Sequence, residues 1–261
     1  MVQRQVCNQS LFVWFLGVTT VFAGDTKNIG SASILDGRVR LAVVFISDEN
    51  SNWSLKEQRA QMRRLKRGEH WLATQSIAYN VSAPKFTHRV YGRWMDINLP
   101  HLPPGTRSGN ENVEMVHLVS RELGFESPHA WRSQFTEEQF VALIFLKRDG
   151  ASYAIPQETG LDSRYDIEGA VLYNNFEPGT PNCASCMAHE LLHVFGAWDM
   201  YETFQITKAQ MDIATELYPN SIMLRTSYNP YELTIDPVTG WRIGWCDKPE
   251  NAETFRPKVR E

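Results

Sequence analysis

An α/β (α+β) fold is predicted for this chain. It comprises a mixed, mostly parallel sheet with an antiparallel edge strand, a long helix bearing two histidines, and a smaller C-terminal lobe. Three observations predict it. Apolar, β-branched runs alternate with helical periodicities through the first half of the chain, the pattern of crossover connections between parallel strands. The runs at 153–155 and 169–173 then follow one another without an intervening helix, which suits an antiparallel edge. No linker-like stretch divides residues 24–261, so they form a single domain, with an upper lobe over 24–196 and a smaller one over 197–261.

The elements follow in order. Residues 38–47 (RVRLAVVFIS) are apolar and β-branched and read as a buried strand. Ser54 precedes Glu57 by three residues, a capping-box start, and Leu55, Met62, Leu65 and Leu72 recur at helical spacing. A long amphipathic helix over 54–79 follows, with Gly68 as a point of interruption. Residues 86–97 read as a second strand, 98–110 as a Pro- and Gly-rich loop, and 111–123 as a second helix stopped by Gly124. Residues 140–147 (FVALIFLK) form an apolar strand. Near the C-terminus, Asp236 followed by Pro237 starts a short helix that buries Trp241 and Trp245.

Composition narrows the class. The chain is 43% hydrophobic and 21% charged, within the globular range. Its net charge of −4 gives no electrostatic reason to bind nucleic acid. The one basic run, Arg63-Arg64-Leu65-Lys66-Arg67, lies inside the helical pattern and reads as a solvated face.

Residues 1–23 carry Arg4 and then an uncharged apolar run from Leu11 to Ala23, too short to span a bilayer comfortably. They read as a secretory signal peptide. The expected location is therefore extracellular or periplasmic, as a monomer without stable membrane association once the leader is removed. Export implies an oxidising compartment. Of the four cysteines, Cys7 leaves with the leader, and Cys183, Cys186 and Cys246 remain. One disulfide plus one free thiol or metal-bound thiolate is the simplest arithmetic. A bridge from Cys246 to either Cys183 or Cys186 would tie the C-terminus to the histidine helix. Asn52 and Asn80 stand in glycosylation sequons, relevant only to a eukaryotic secretory route.

The chemistry concentrates in residues 189–199, HELLHVFGAWD. On a helix, His189 and His193 share a face and can present two imidazole nitrogens to one metal ion. Glu190 is placed to act as general base on a water at that ion without itself being a ligand. Gly196 permits a sharp turn after the helix, which would bring Asp199 back as third ligand, leaving a fourth position for water.

With Met223, these residues resemble the metzincin signature, H-E-x-x-H-x-x-G-x-x-H followed by a methionine turn. Asp199 stands where the last histidine would be, as in the small secreted metzincins of the snapalysin type. Tyr218-Pro219-Asn220-Ser221-Ile222-Met223 looks like the methionine turn, with Met223 as the floor under the metal. The resemblance implies a zincin-like fold, a Zn2+ cofactor, and secreted endopeptidase activity on a peptide or protein substrate. It also implies that the last strand before the active helix, by position Gly169–Tyr173, is the edge that pairs with substrate. The family's tyrosine two residues past the methionine is replaced by Arg225, and the nearest tyrosine is Tyr228.

Two other readings use the same region. In a gluzincin-type peptidase, the third ligand would come from a later helix carrying Asp212 and Glu216. In a non-catalytic secreted binding module, Cys183, Cys186, His189 and His193 would close a structural zinc site. The remaining histidines, His70, His88, His101, His117 and His129, have no partner at ligand spacing and are assigned no role.

Overall fold

The computed structural model describes residues 30–47, 51–92, 97–98, 109–137, 139–155 and 167–258. Residues 1–23, for which a leader is expected, lie outside them, Cys7 included, as does His101.

The elements appear in the predicted alternation: β1 (Arg38–Ser47), α1 (Leu55–Ala78), β2 (Lys85–Tyr91), β3 (Ile97–Asn98), α2 (Gly109–Glu122), α3 (Pro128–Arg132), β4 (Gln139–Asp149), β5 (Tyr153–Ile155), β6 (Gly169–Glu177), β7 (Thr180–Pro181), α4 (Ala184–Val194), α5 (Lys208–Leu217) and α6 (Pro237–Arg242). The strands form one 7-stranded sheet with the order β2-β1-β4-β6-β5. β1, β2, β4 and β6 run parallel, and β5 pairs antiparallel at the edge. A mixed, mostly parallel sheet with an antiparallel edge strand is therefore what the chain builds.

β1 and β4 sit in the middle of the sheet and are buried on both faces, which is why they read as continuous apolar runs rather than alternating ones. One face carries Leu41, Val43, Phe45, Leu143 and Phe145 against α1 and α4. The other carries Ala42, Val44, Ile46, Ile144 and Val171 against Met115, Val119 and Trp131 of α2 and α3.

Four details depart from the sequence expectations. Gly68 does not interrupt α1, which runs unbroken. A Cβ there would lie 2.8 Å from the Ala184 carbonyl oxygen, so the glycine lets α1 and α4 cross closely. The second strand ends at Tyr91, because Gly92 takes a φ of +82° with its backbone pressed against Phe45. The short helix α3 carries no periodic signal, although Ser127 caps it and Pro128 opens it. Finally, Gly169–Tyr173 is not the sheet edge. β5 lies outside it, paired to Gly169, Ala170 and Val171, so the outer edge on this side belongs to Tyr153–Ile155.

The chain over 197–258 forms α5, α6 and two 3-10 turns and follows directly on the end of α4. The Asp236 carboxylate caps α6 by accepting from the Thr239 amide at 2.9 Å, and Trp241 and Trp245 are buried as expected.

Candidate metal centre

α4 starts at Cys183, whose sulfur accepts from the Cys186 amide at the N-terminus of the helix. Cys183 and Cys186 are joined to each other as a disulfide, and Cys246 stays outside it, its thiol directed at the Pro237 carbonyl at 3.5 Å. A bridge from Cys246 to the helix does not form. A closed four-ligand zinc site through Cys183 and Cys186 is likewise ruled out, because both sulfurs are already bonded.

The other end of α4 is a Schellman motif. Gly196 has a φ of +93°. Its amide donates to the His193 carbonyl at 2.8 Å, and the Ala197 amide donates to the Leu192 carbonyl at 3.0 Å. A left-handed residue is required at the glycine position, and only glycine adopts that conformation without steric strain. The turn aims the Ala197 carbonyl back at His193, 2.8 Å from its Nδ1. Asp199 follows two residues later and returns to the same face of the helix.

Three atoms then converge. His189 Nε2 and His193 Nε2 are 3.0 Å apart, His193 Nε2 and Asp199 Oδ1 are 3.0 Å apart, and His189 Nε2 and Asp199 Oδ1 are 3.3 Å apart. Among the described residues, His189, His193 and Asp199 are the group whose ligand atoms can hold a metal ion. Tetrahedral ligands at about 2.0–2.1 Å from a zinc ion lie about 3.3 Å from one another, so the triangle fits with small adjustments.

Hydrogen bonds behind the imidazoles set their tautomers. His189 Nδ1 donates to the Ile222 carbonyl at 3.0 Å, as His193 Nδ1 does to Ala197. With each Nδ1 carrying the proton, each Nε2 turns a lone pair to the common point. Two lone pairs and a carboxylate facing one another call for a cation between them.

The negative charge of Asp199 and Glu190 draws positive charge to this point, either a second proton on His193 or a metal ion in its place. Burial works against a charged His193, but Asp199 and then Glu190 outweigh it and push the imidazole up to about 9. Burial also works against ionised Asp199, yet the adjacent imidazoles hold it well below the usual carboxylate range. Glu190, directly after the first histidine, is buried.

Met223 is fully buried. Its amide donates to Ser221 Oγ at 3.0 Å, and its carbonyl accepts from the Met200 amide at 2.8 Å. The segment around Met223 is thus tied to the strand of chain that follows Asp199. Asp212 and Glu216, the later-helix alternatives, are not brought to the histidines. Asp212 pairs instead with Lys208 at 2.8 Å on the exposed face of α5. Tyr228 is 67% exposed and takes no part.

Two residues at the site were not anticipated. Arg242 is buried, donates from Nε to the Gly196 carbonyl at 2.7 Å, and stacks its guanidinium 4.3 Å over Trp198. The ring of Tyr201 lies 6.1 Å from that of His189, centroid to centroid. Its place two residues after Asp199 was the available signal.

No family model matches this chain, and no curated protein does either. Solved structures with a similar course include metalloproteinase-II from Bacteroides fragilis, at 11% identity and a TM-score of 0.38, over 87% of this chain and 60% of that one. Another is a chaperone–substrate complex, at 14% identity and a TM-score of 0.37, over 65% of this chain and 25% of that one. The chain thus spans three fifths and one quarter of these two proteins. Among the described residues, no helix is long and apolar enough to cross a membrane.

Proposed function

We propose that this protein is a secreted, zinc-dependent endopeptidase of metzincin type, with His189, His193 and Asp199 as ligands and Glu190 as the proton carrier. One observation carries the reading. Each histidine is fixed through Nδ1 by a backbone carbonyl, so that both Nε2 atoms and Asp199 Oδ1 meet at one point, with a buried glutamate next to the first ligand.

The ion, when bound, supplies a Lewis acid that polarises the scissile carbonyl and lowers the pKa of a water. The chain's own residues do the rest. Glu190 takes a proton from the attacking water as its oxygen bonds to the carbonyl carbon. The carbon–nitrogen bond then breaks, and Glu190 returns that proton to the departing amine. Gly196 makes the turn that presents Asp199, and the segment through Met223 supports His189 from behind. In this reading the outer edge of Tyr153–Ile155 is the side on which an extended substrate adds a strand.

The test is cleavage of a diverse peptide mixture by the purified protein, with a chelator arm and the Glu190→Gln variant alongside. Cuts that disappear in both arms are expected. Peptides left intact by a protein holding about one zinc per chain would reject the endopeptidase reading and leave a metal-binding protein.

A further inference from the structure

The sheet has a second edge, at β2, on the opposite side from β5. Between β2 and α1 lies an open cleft of about 370 Å³, within the range of small-ligand and peptide-side-chain pockets. Its floor is apolar, formed by Phe45, Leu55, Met62 and Val90.

Its rim is basic. Arg59, Arg63 and Lys66 stand at i, i+4 and i+7 of α1, so they share one helix face. All three are exposed, and none makes an ion pair with another described residue. The neighbouring carboxylates of α1 are already engaged. Glu57 pairs with Lys147 at 3.0 Å, and buried Glu69 is bonded to His88 at 2.6 Å. The chain as a whole is acidic, with a net charge of −4, so this row of cations goes against the overall field.

Two features decide what such a cleft takes. Arg59 to Lys66 spans about 10 Å along the helix, at 1.5 Å per residue, which is more than one carboxylate can cover. Among the described residues, β2 pairs only with β1, so its outer backbone groups are open to another strand. Phe86, His88 and Val90 alternate along β2, and Phe86 and Val90 pack with the core on the α1 side. A strand added beside β2 would place alternate side chains toward α1 about 6.6–6.8 Å apart, against about 6 and 4.5 Å between successive cations along the helix, a difference that the long Arg and Lys side chains span.

We propose that this cleft binds an acidic, extended polypeptide segment, which adds to the outer edge of β2 and lays alternate carboxylates against Arg59, Arg63 and Lys66. This site shares no residue with the metal centre and is independent of the peptidase reading. Main-chain pairing supplies the register, the methylene stems of the acidic side chains lie over the apolar floor, and the intervening side chains face away from α1.

The test measures fluorescence anisotropy of a short labelled peptide with Glu at alternate positions and Leu or Thr between. The Glu190→Gln protein is used throughout, so that hydrolysis cannot deplete the probe. Binding is expected to weaken with rising salt and to fall about tenfold in the triple variant Arg59→Glu, Arg63→Glu, Lys66→Glu, in which three exposed ion pairs are lost together. Circular dichroism checks that this surface variant remains folded. A peptide N-methylated at alternate residues should bind poorly, because strand pairing is blocked. Equal affinity for the Lys-for-Glu analogue, or no change in the triple variant, would overturn the proposal. Equal affinity of the N-methylated peptide would overturn the strand pairing. Sedimentation with phosphatidylserine vesicles, without peptide binding, would assign the cations to a lipid surface instead.

Discussion

The Ile222 carbonyl accepts a hydrogen bond from His189 Nδ1 at 3.0 Å, although the two residues lie 33 positions apart. The carbonyl is itself fixed by a chain of buried contacts. The Ile222 amide donates to the Thr234 carbonyl at 3.0 Å, and Ser221 Oγ donates to Asp236 Oδ2 at 2.7 Å. Asp236 is the same residue that caps α6. The segment over 221–236 therefore orients His189 through one buried carboxylate and one buried hydroxyl.

Ser221→Ala breaks that chain while leaving every ligand in place. The Met223 amide loses its acceptor, and Asp236 loses a donor. Groups that orient a ligand from behind typically contribute 10- to 100-fold to metal affinity, so a fall of about that size is expected. A zinc titration against a competing chelator measures it. An unchanged affinity in a folded variant would show that the Ile222 carbonyl needs no such support.

Asp199→Ala removes the carboxylate from the triangle. Two imidazoles remain, and zinc in a catalytic site requires three protein ligands. Metal affinity should fall much further than in Ser221→Ala, with peptide cleavage lost in parallel. Asp199→Glu places the same charge one methylene further out and should recover only part of the affinity. Retention of wild-type affinity in Asp199→Ala would exclude this aspartate as a ligand.

Most of this site was legible because its parts are local. His189, Glu190, His193, Gly196 and Asp199 lie within eleven residues, so helix periodicity and the conformational freedom of glycine suffice to bring them together. The strand and helix alternation was legible for the same reason: β1 and β4 are buried on both faces and carry uninterrupted apolar runs. What was not legible depends on pairs distant in sequence. Gly68 reads as a helix breaker until Ala184 is seen against it. The three residues of β5 are too few to reveal that they cover Gly169–Val171 and take over the edge. Cys183 and Cys186 chose each other over Cys246, a choice set by the fold at the start of α4 rather than by spacing alone.

Arg242 extends the same point to stability. Its Nε satisfies the Gly196 carbonyl inside the turn that returns Asp199. In Arg242→Met the aliphatic volume is kept, but a buried carbonyl loses its partner and Trp198 loses its cation contact. The cost of an unsatisfied buried acceptor is about 1–3 kcal/mol, and thermal unfolding should shift down by several degrees. Gly196→Ala strains the left-handed residue by about 1–2 kcal/mol and should act on the same turn. If both variants melt like the wild type, the turn is held by other contacts.

Glu168 gives the fold a pH dependence separate from the metal centre. It is fully buried beside the first described residues of the chain. Its Oε2 accepts from Ser31 Oγ at 2.6 Å and from the Ala32 amide at 3.0 Å, while Oε1 has no hydrogen-bond partner among the described residues. Burial outweighs those bonds and pushes the carboxyl up from 4.5 to about 7. Between these values the folded state binds more protons than the unfolded state, so stability falls as pH rises. Below about 4.5 the contribution of the protonated form is complete, and above about 7 it is gone. The change is on the order of a few kcal/mol at 1.36 kcal/mol per unit. Urea unfolding of the wild type and of Glu168→Gln across this window measures it. The neutral amide should flatten the slope between about 4.5 and about 7. A slope of the same size in both proteins would place the titrating group elsewhere.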